Sequence, residues 1–98
     1  MRWVVVEIRQ TEPFAKWLRD LTDRQARARV LARIDRLKLG NFGDVKTVKE
    51  GLSELRIHYG PGYRVYFVQQ DAVILLIGGT KSTQPRDIDA ALRLIKGA

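Results

Sequence analysis

The chain contains no cysteine, so a disulfide framework is excluded, and its single histidine, His58, cannot supply the clustered nitrogen and sulfur ligands of a structural zinc site. No metal and no cofactor are therefore expected. Long apolar runs are also missing. No stretch approaches the ~20 apolar residues that span a bilayer, and the apolar run within Met1–Glu7 is too short for a signal peptide. The expected location is cytoplasmic, with no membrane partner. Acidic residues are few: 11 Asp and Glu stand against 18 Lys and Arg, for a net charge of +7. Such an excess speaks to association with a polyanion or an acidic partner rather than to fold. There is no internal repeat, low-complexity segment or linker, and 98 residues suffice for one domain with a modest core.

What is present is a strand-rich stretch from Ser53 to Lys81. Leu55, Ile57 and Tyr59 alternate with Glu54, Arg56 and His58, so one face of a strand is core and the other is charged. Gly60-Pro61-Gly62 supplies a tight turn, after which Arg64 and Tyr66 alternate with Tyr63, Val65 and Phe67, of which Tyr63 and Phe67 read as core. Val73–Ile77 is apolar without alternation, as expected of a central strand covered on both sides, and runs into Gly78-Gly79-Thr80-Lys81. Basic groups thus fall on adjacent strands.

Ahead of this stretch, Trp3–Ile8 reads as a first strand at or near the sheet edge. Thr11-Glu12-Pro13 starts a short helix to about Leu21 with the apolar stripe Phe14, Trp17, Leu18 and Leu21. Thr22 or Asp23 caps a second helix, to about Leu39, in which Ala26, Val30, Ile34 and Leu37 form the buried stripe and Gly40 the stop. Its polar surface carries Arg24, Arg27, Arg29, Arg33, Arg36 and Lys38 against Asp35 alone, a phosphate-binding surface or simply a solvated face. Val45–Glu50 allows a short strand. Ser82 or Thr83 precedes a last helix through Ile88, Ala91, Leu92 and Ile95, with Asp87 and Asp89 suited to its N-terminal dipole. The order predicts an α+β domain: a small, twisted, mostly antiparallel sheet with an N-terminal helix hairpin and a C-terminal helix.

Taken together, Gly51-Leu52-Ser53-Glu54-Leu55-Arg56-Ile57, Gly60-Pro61-Gly62-Tyr63-Arg64-Val65-Tyr66-Phe67 and Gly78-Gly79-Thr80-Lys81-Ser82-Thr83-Gln84 with Asp87-Ile88 resemble the RelE/HigB-type toxins, in particular the phage-derived HigB-like addiction-module killer proteins. The resemblance implies a RelE-like sheet with helices packed on one face and an endoribonuclease that cuts mRNA on the ribosome. It also implies a cognate antitoxin, of a helix-turn-helix HigA-like kind, in a toxin–antitoxin hetero-oligomer. By position it carries over Arg56, Arg64 and Lys81 as the basic residues of the groove. The first central strand has Glu54 where some relatives have lysine, and the C-terminal Leu94–Ala98 lacks the Tyr or His many relatives have there. His58, Tyr66 and Asp87 then remain as candidates for the general acid or base.

RNA can be cut without metal when its 2′-hydroxyl attacks the adjacent phosphate in line, which requires orientation, charge stabilisation on the phosphorane and proton transfer. Guanidinium groups at Arg56 and Arg64 suit the charge role, and Lys81 the leaving side. Histidine has an ordinary pKa nearest neutrality, and alternation sets His58 on the Arg56 face. Tyr66, on the Arg64 face, could stack a base or donate a proton. The residues equally allow Arg64 to pair with Glu54 across strands and Lys81 to end a strand in solvent. If Arg64 faces an open groove, its removal leaves the fold intact. A gyrase-binding, ParE-like toxin and a non-catalytic nucleic-acid-binding module share the same basic character.

Overall fold

The computed structural model describes residues 6–97. Strand β1 (Ile8–Gln10) leads into helices α1 (Glu12–Asp20) and α2 (Arg24–Lys38). Strands β2 (Val45–Lys49), β3 (Leu52–Ile57), β4 (Tyr63–Gln69) and β5 (Val73–Thr80) follow, then a 3-10 turn at Lys81–Thr83 and helix α3 (Gln84–Gly97). The strands form one sheet in the order β1-β5-β4-β3-β2. Strands β2 to β5 are an antiparallel meander, and β1 returns parallel to β5 at the edge. This is the expected α+β architecture, mostly antiparallel, with a helix pair before the meander and a helix after it. The edge position of the first strand is as expected, but the strand is the segment Ile8–Gln10, and Trp3–Val5 lie outside the described residues. No helix among the described residues is long and apolar enough to cross a membrane.

Local chemistry explains where the helices begin and end. Thr11 Oγ1 accepts the Phe14 N–H at 3.1 Å, and Pro13 occupies the first turn, where its missing N–H costs nothing. Asp23 Oδ1 accepts from the N–H groups of Gln25 and Ala26, making Asp23, rather than Thr22, the cap of α2. At the other end of α2, Gly40 takes φ +81°, its N–H bonds Leu37 O at 2.8 Å, and the Asn41 N–H bonds Arg36 O at 2.9 Å. These two bonds satisfy carbonyls that the helix leaves unpaired, and the backbone angle is one that a side chain would resist.

The sheet is covered on both faces. Phe14, Ala26, Val30, Ile34 and Leu37 from α1 and α2 pack on Leu55, Ile57, Tyr63, Val65, Phe67, Val73 and Leu75. On the opposite face, Ala91 and Leu92 of α3 pack on Leu52, Tyr66, Val68 and Leu76. Each fully buried Phe or Leu contributes about 2 kcal/mol from area removed from water. The one-faced helix layer implied by family resemblance is therefore not what forms. The unbroken apolar run of β5, read as a strand covered on both sides, describes the packing correctly. A bulge serves both cores: Tyr66 faces Ile77 while Phe67 faces Leu75, and the extra residue Leu76 enters the α3 side.

Candidate active site

The antiparallel turns gather the charged residues at one end of the α3-covered face. Arg56 and Arg64 are directly opposed in the β3–β4 register, as are Glu54 and Tyr66, so these four side chains share a face as alternation requires. His58 lies just beyond β3, next to the turn, and Lys81 just beyond β5. The Lys81 N–H donates to Gly62 O at 2.8 Å, and a Cβ placed on Gly62 would lie 3.5 Å from Lys81 Cβ and 3.7 Å from Arg64 Nη1. The turn at Gly60–Gly62 thereby brings the Arg64 head group and the Lys81 stem to the same spot.

A residue that sequence reasoning did not single out organises the outer part of this site. Asp44, in the loop before β2, accepts from Arg56 Nη2 at 2.9 Å and Nε at 3.2 Å through Oδ1, while Oδ2 meets His58 Nε2 at 2.5 Å. The loop is also tied down by backbone, with Arg56 N–H donating to Asp44 O at 3.0 Å. The hydrogen bonds from His58 and then Arg56 hold the Asp44 carboxyl below the usual range, so at neutral pH it is an ionised acceptor. An ionised carboxylate has no proton to give, so the bond to His58 is donated by Nε2–H, which leaves Nδ1 of a neutral imidazole as a free acceptor. Arg33, one of the cations assigned to the exposed face of α2, is instead half-buried. Its guanidinium donates to the carbonyls of Arg56 at 2.6 Å and Phe42 at 3.1 Å, clamping the Asp44 loop to β3.

The inner part of the site is closed. Arg64 is 7% exposed and lies beside Glu54, 1% exposed, with Nε to Oε1 at 3.5 Å. Arg64 Nε makes no hydrogen bond among the described groups, whereas Glu54 also accepts from Gln84 Nε2. The open-groove orientation of Arg64 expected from alternation is thus not what forms, because alternation gives the side of a strand and not the depth of cover over it. Tyr66 is fully buried, and its hydroxyl has no hydrogen-bond partner among the described groups. A base cannot stack on that ring. Burial raises the Tyr66 phenol most, and the charges of Glu54 and Asp87 raise it further against the opposing charge of Arg64, so it stays neutral across physiological pH.

Asp87 is also buried, with Thr83 Oγ1 donating to its Oδ2 and Arg86 Nε 3.9 Å from Oδ1. It sits against the sheet only because residue 79 is glycine: a Cβ there would fall 1.8 Å from Asp87 Oδ2. On the other face a Cβ on Gly78 would fall 2.2 Å from the Trp17 ring. The glycine pair thus admits one helix on each side. Lys81 is exposed and makes no ion pair among the described residues.

Of the six residues singled out from sequence, the fold brings Arg56, His58, Arg64 and Lys81 to one end of the sheet. Tyr66 and Asp87 lie beneath them rather than among them. The cavity of about 350 Å³ lined by Val68, Ile74, Leu76, Leu94 and Ile95 sits under the far half of α3. Arg93 is the one titratable group lining it, which makes it a packing feature rather than a place for proton transfer.

A small α+β protein with arginines opposed on neighbouring strands and a lysine at the strand end fits the toxin class. The comparisons give the family: residues 16–96 match the model described as phage-derived protein Gp49-like (DUF891), and the chain belongs to this family of RelE/HigB-like toxins, which is associated with toxin–antitoxin systems. An uncharacterized protein of Haemophilus influenzae is 50% identical over 90 residues, spanning 90% of this chain and 91% of that one. The solution structure of the conserved hypothetical protein HP0894 from Helicobacter pylori is similar at 17% identity and a TM-score of 0.43, covering 79% of this chain and 96% of that chain.

Proposed function

We propose that this chain is the toxin of a toxin–antitoxin pair and acts as an endoribonuclease on ribosome-bound mRNA, with the outer charged end of the α3-covered sheet face as its active site. The observation that carries this reading is the Asp44 bridge, which fixes His58 and Arg56 side by side next to Arg64 and Lys81. His58 Nδ1 takes the proton of the 2′-hydroxyl as the 2′-oxygen attacks the adjacent phosphorus. The P–O5′ bond breaks, leaving a cyclic phosphate on one product, and the 5′-oxygen of the other takes a proton from Lys81 or from water. Arg56, with Nη1 unused by Asp44, supplies donors to the phosphorane oxygens, and Arg64, buried beside Glu54, adds positive charge from beneath. Asp44 plays the part of the carboxylate that selects the imidazole tautomer. Glu54, Tyr66 and Asp87 support the site from below, with Glu54 holding Arg64.

Metal is not part of this chemistry, and the partners are a cognate antitoxin, the ribosome and its mRNA. Primer extension on mRNA translated in vitro with the purified chain tests the reading. Discrete cuts whose 5′ ends carry hydroxyl groups are expected. Intact mRNA together with inhibition of gyrase supercoiling would instead assign the ParE-like alternative, and intact mRNA with RNA binding alone a non-catalytic module.

A further inference from the structure

Among the described residues, a second feature lies on the helix-hairpin side of the sheet, away from the α3-covered face that carries the site. Leu31, in the middle of the cationic helix α2, is 43% exposed. It lines two adjoining cavities, of about 190 and 470 Å³, that also share Leu18 of α1. Ile34 and Leu75 complete an aliphatic floor, and Arg19, Arg27 and Lys38 stand at the rim with one carboxylate, Asp35. Some of this positive charge is engaged: Arg19 pairs with Glu12, Lys38 with Asp35 at 3.6 Å, and Arg27 donates to the carbonyls of Arg19 and Leu21. With Arg33 turned inward, the α2 surface nonetheless keeps five cations against one carboxylate.

We infer that this trough is the docking surface for an acidic polypeptide segment that places an aliphatic side chain between Leu18 and Leu31, and that the segment belongs to the antitoxin. The inference rests on the toxin reading and names the partner's surface. Charge complementarity calls for an anionic partner. The floor decides between protein and nucleic acid. It offers no aromatic ring on which a base could stack, which is how single-stranded RNA is ordinarily held, whereas a rim of cations around leucines matches an amphipathic acidic segment. Leu18 and Leu31 come from different helices, so the trough is present only once the hairpin has folded.

The test is calorimetric titration of the full chain with the purified antitoxin encoded beside it, for the parent, Leu31→Lys and Lys38→Glu, with mRNA cleavage measured on the same proteins. Leu31→Lys removes the anchor but adds a cation, on an exposed position where lysine is a good helix former, so an acidic peptide should bind at least tenfold more weakly while a nucleic acid should bind no more weakly. Lys38→Glu should weaken the antitoxin through charge. Cleavage should be unchanged in both variants. Antitoxin affinity unchanged by both substitutions overturns the inference, as does lost cleavage with affinity intact, which would make the trough a ribosome contact. If the parent itself fails to cleave, the nuclease reading falls, and the titrations still decide the docking surface.

Discussion

Arg64 and Glu54 form a buried ion pair across β4 and β3, with their side chains 9% and 2% exposed and Nε to Oε1 at 3.5 Å. Removing one member of such a pair leaves the other charged and desolvated, at a cost of about 3 kcal/mol or more. Arg64→Ala should therefore lower stability by that amount in urea denaturation, and Arg64→Met with Glu54→Gln should recover most of it. Loss of activity in Arg64→Ala would then report on folding. Arg64→Lys, which keeps the charge but not the planar fork, is the informative substitution for catalysis. A urea midpoint unmoved by Arg64→Ala would show that the pair does not hold the sheet.

The contact between Gly79 and Asp87 gives a second expectation. Since a Cβ at residue 79 would overlap the Asp87 carboxylate, Gly79→Ala must push α3 away from the sheet or expel Asp87 from its bond with Thr83. Overpacking of this kind costs roughly 2 kcal/mol, which lowers the melting temperature of a chain this size by about 8–16 °C. Gly97→Ala, near the end of the same helix with nothing within 4 Å, is the control and should be neutral or slightly stabilising. Equal melting temperatures for the two variants would refute the close-approach argument.

Tyr66 makes stability depend on alkaline pH. Its phenol is raised in the folded chain, by burial first and by the negative charges of Glu54 and Asp87 next. A group raised on folding contributes stability that is fully present below the unfolded pKa, about 10, and is lost as pH climbs above it toward the folded value. The chain should therefore lose stability above about pH 10, and its phenolate absorbance should include Tyr66 only upon unfolding. Tyr66→Phe should remove that part of the pH dependence. It should also be neutral or stabilising by about 1 kcal/mol at pH 7, because it deletes a buried hydroxyl with no partner in the protein. Destabilisation of Tyr66→Phe at pH 7 would contradict this account.

Much of this was legible in the sequence, and what was not has identifiable causes. Alternation set Glu54, Arg56 and His58 on one face, and the Gly-Pro-Gly turn set Arg64 beside them, because period and turn chemistry are local. The caps at Thr11 and the stop at Gly40 are local in the same sense. Asp44 was not legible: it belongs to a loop, and nothing in the pattern links a loop to a strand twelve residues further on, although a lone acid ahead of a basic strand is a weak signal. Arg33 looked like every other arginine of its helix, yet the fold turns it into a clamp. The doubled glycine in β5 carried more information than a strand end. It marked close approach by Trp17 on one face and Asp87 on the other, and with the apolar β5 run it favoured helices on both sides of the sheet.

The bridge from Asp44 to His58 and Arg56 gives the last expectation, which separates a chemical role from a structural one. If His58 is the base, His58→Gln should lower mRNA cleavage by about 100-fold with little change in melting, since the side chain is 70% exposed. Asp44→Asn should lower cleavage too, because an amide can present its own N–H to the ring and no longer selects the tautomer. Residues that act as one unit are not additive, so the double variant should be no slower than His58→Gln alone. Stability supplies the independent readout. The Asp44 carboxyl is held below its ordinary range, so its stabilisation is present above the unfolded pKa near 4 and is lost as pH falls through the lower folded value. Asp44→Asn should thus flatten the acid limb of the stability curve below about pH 4, a change His58→Gln should produce in part because it removes the largest cause of the shift. Multiplicative losses in the double variant would mean that the two residues act separately and that Asp44 merely anchors its loop.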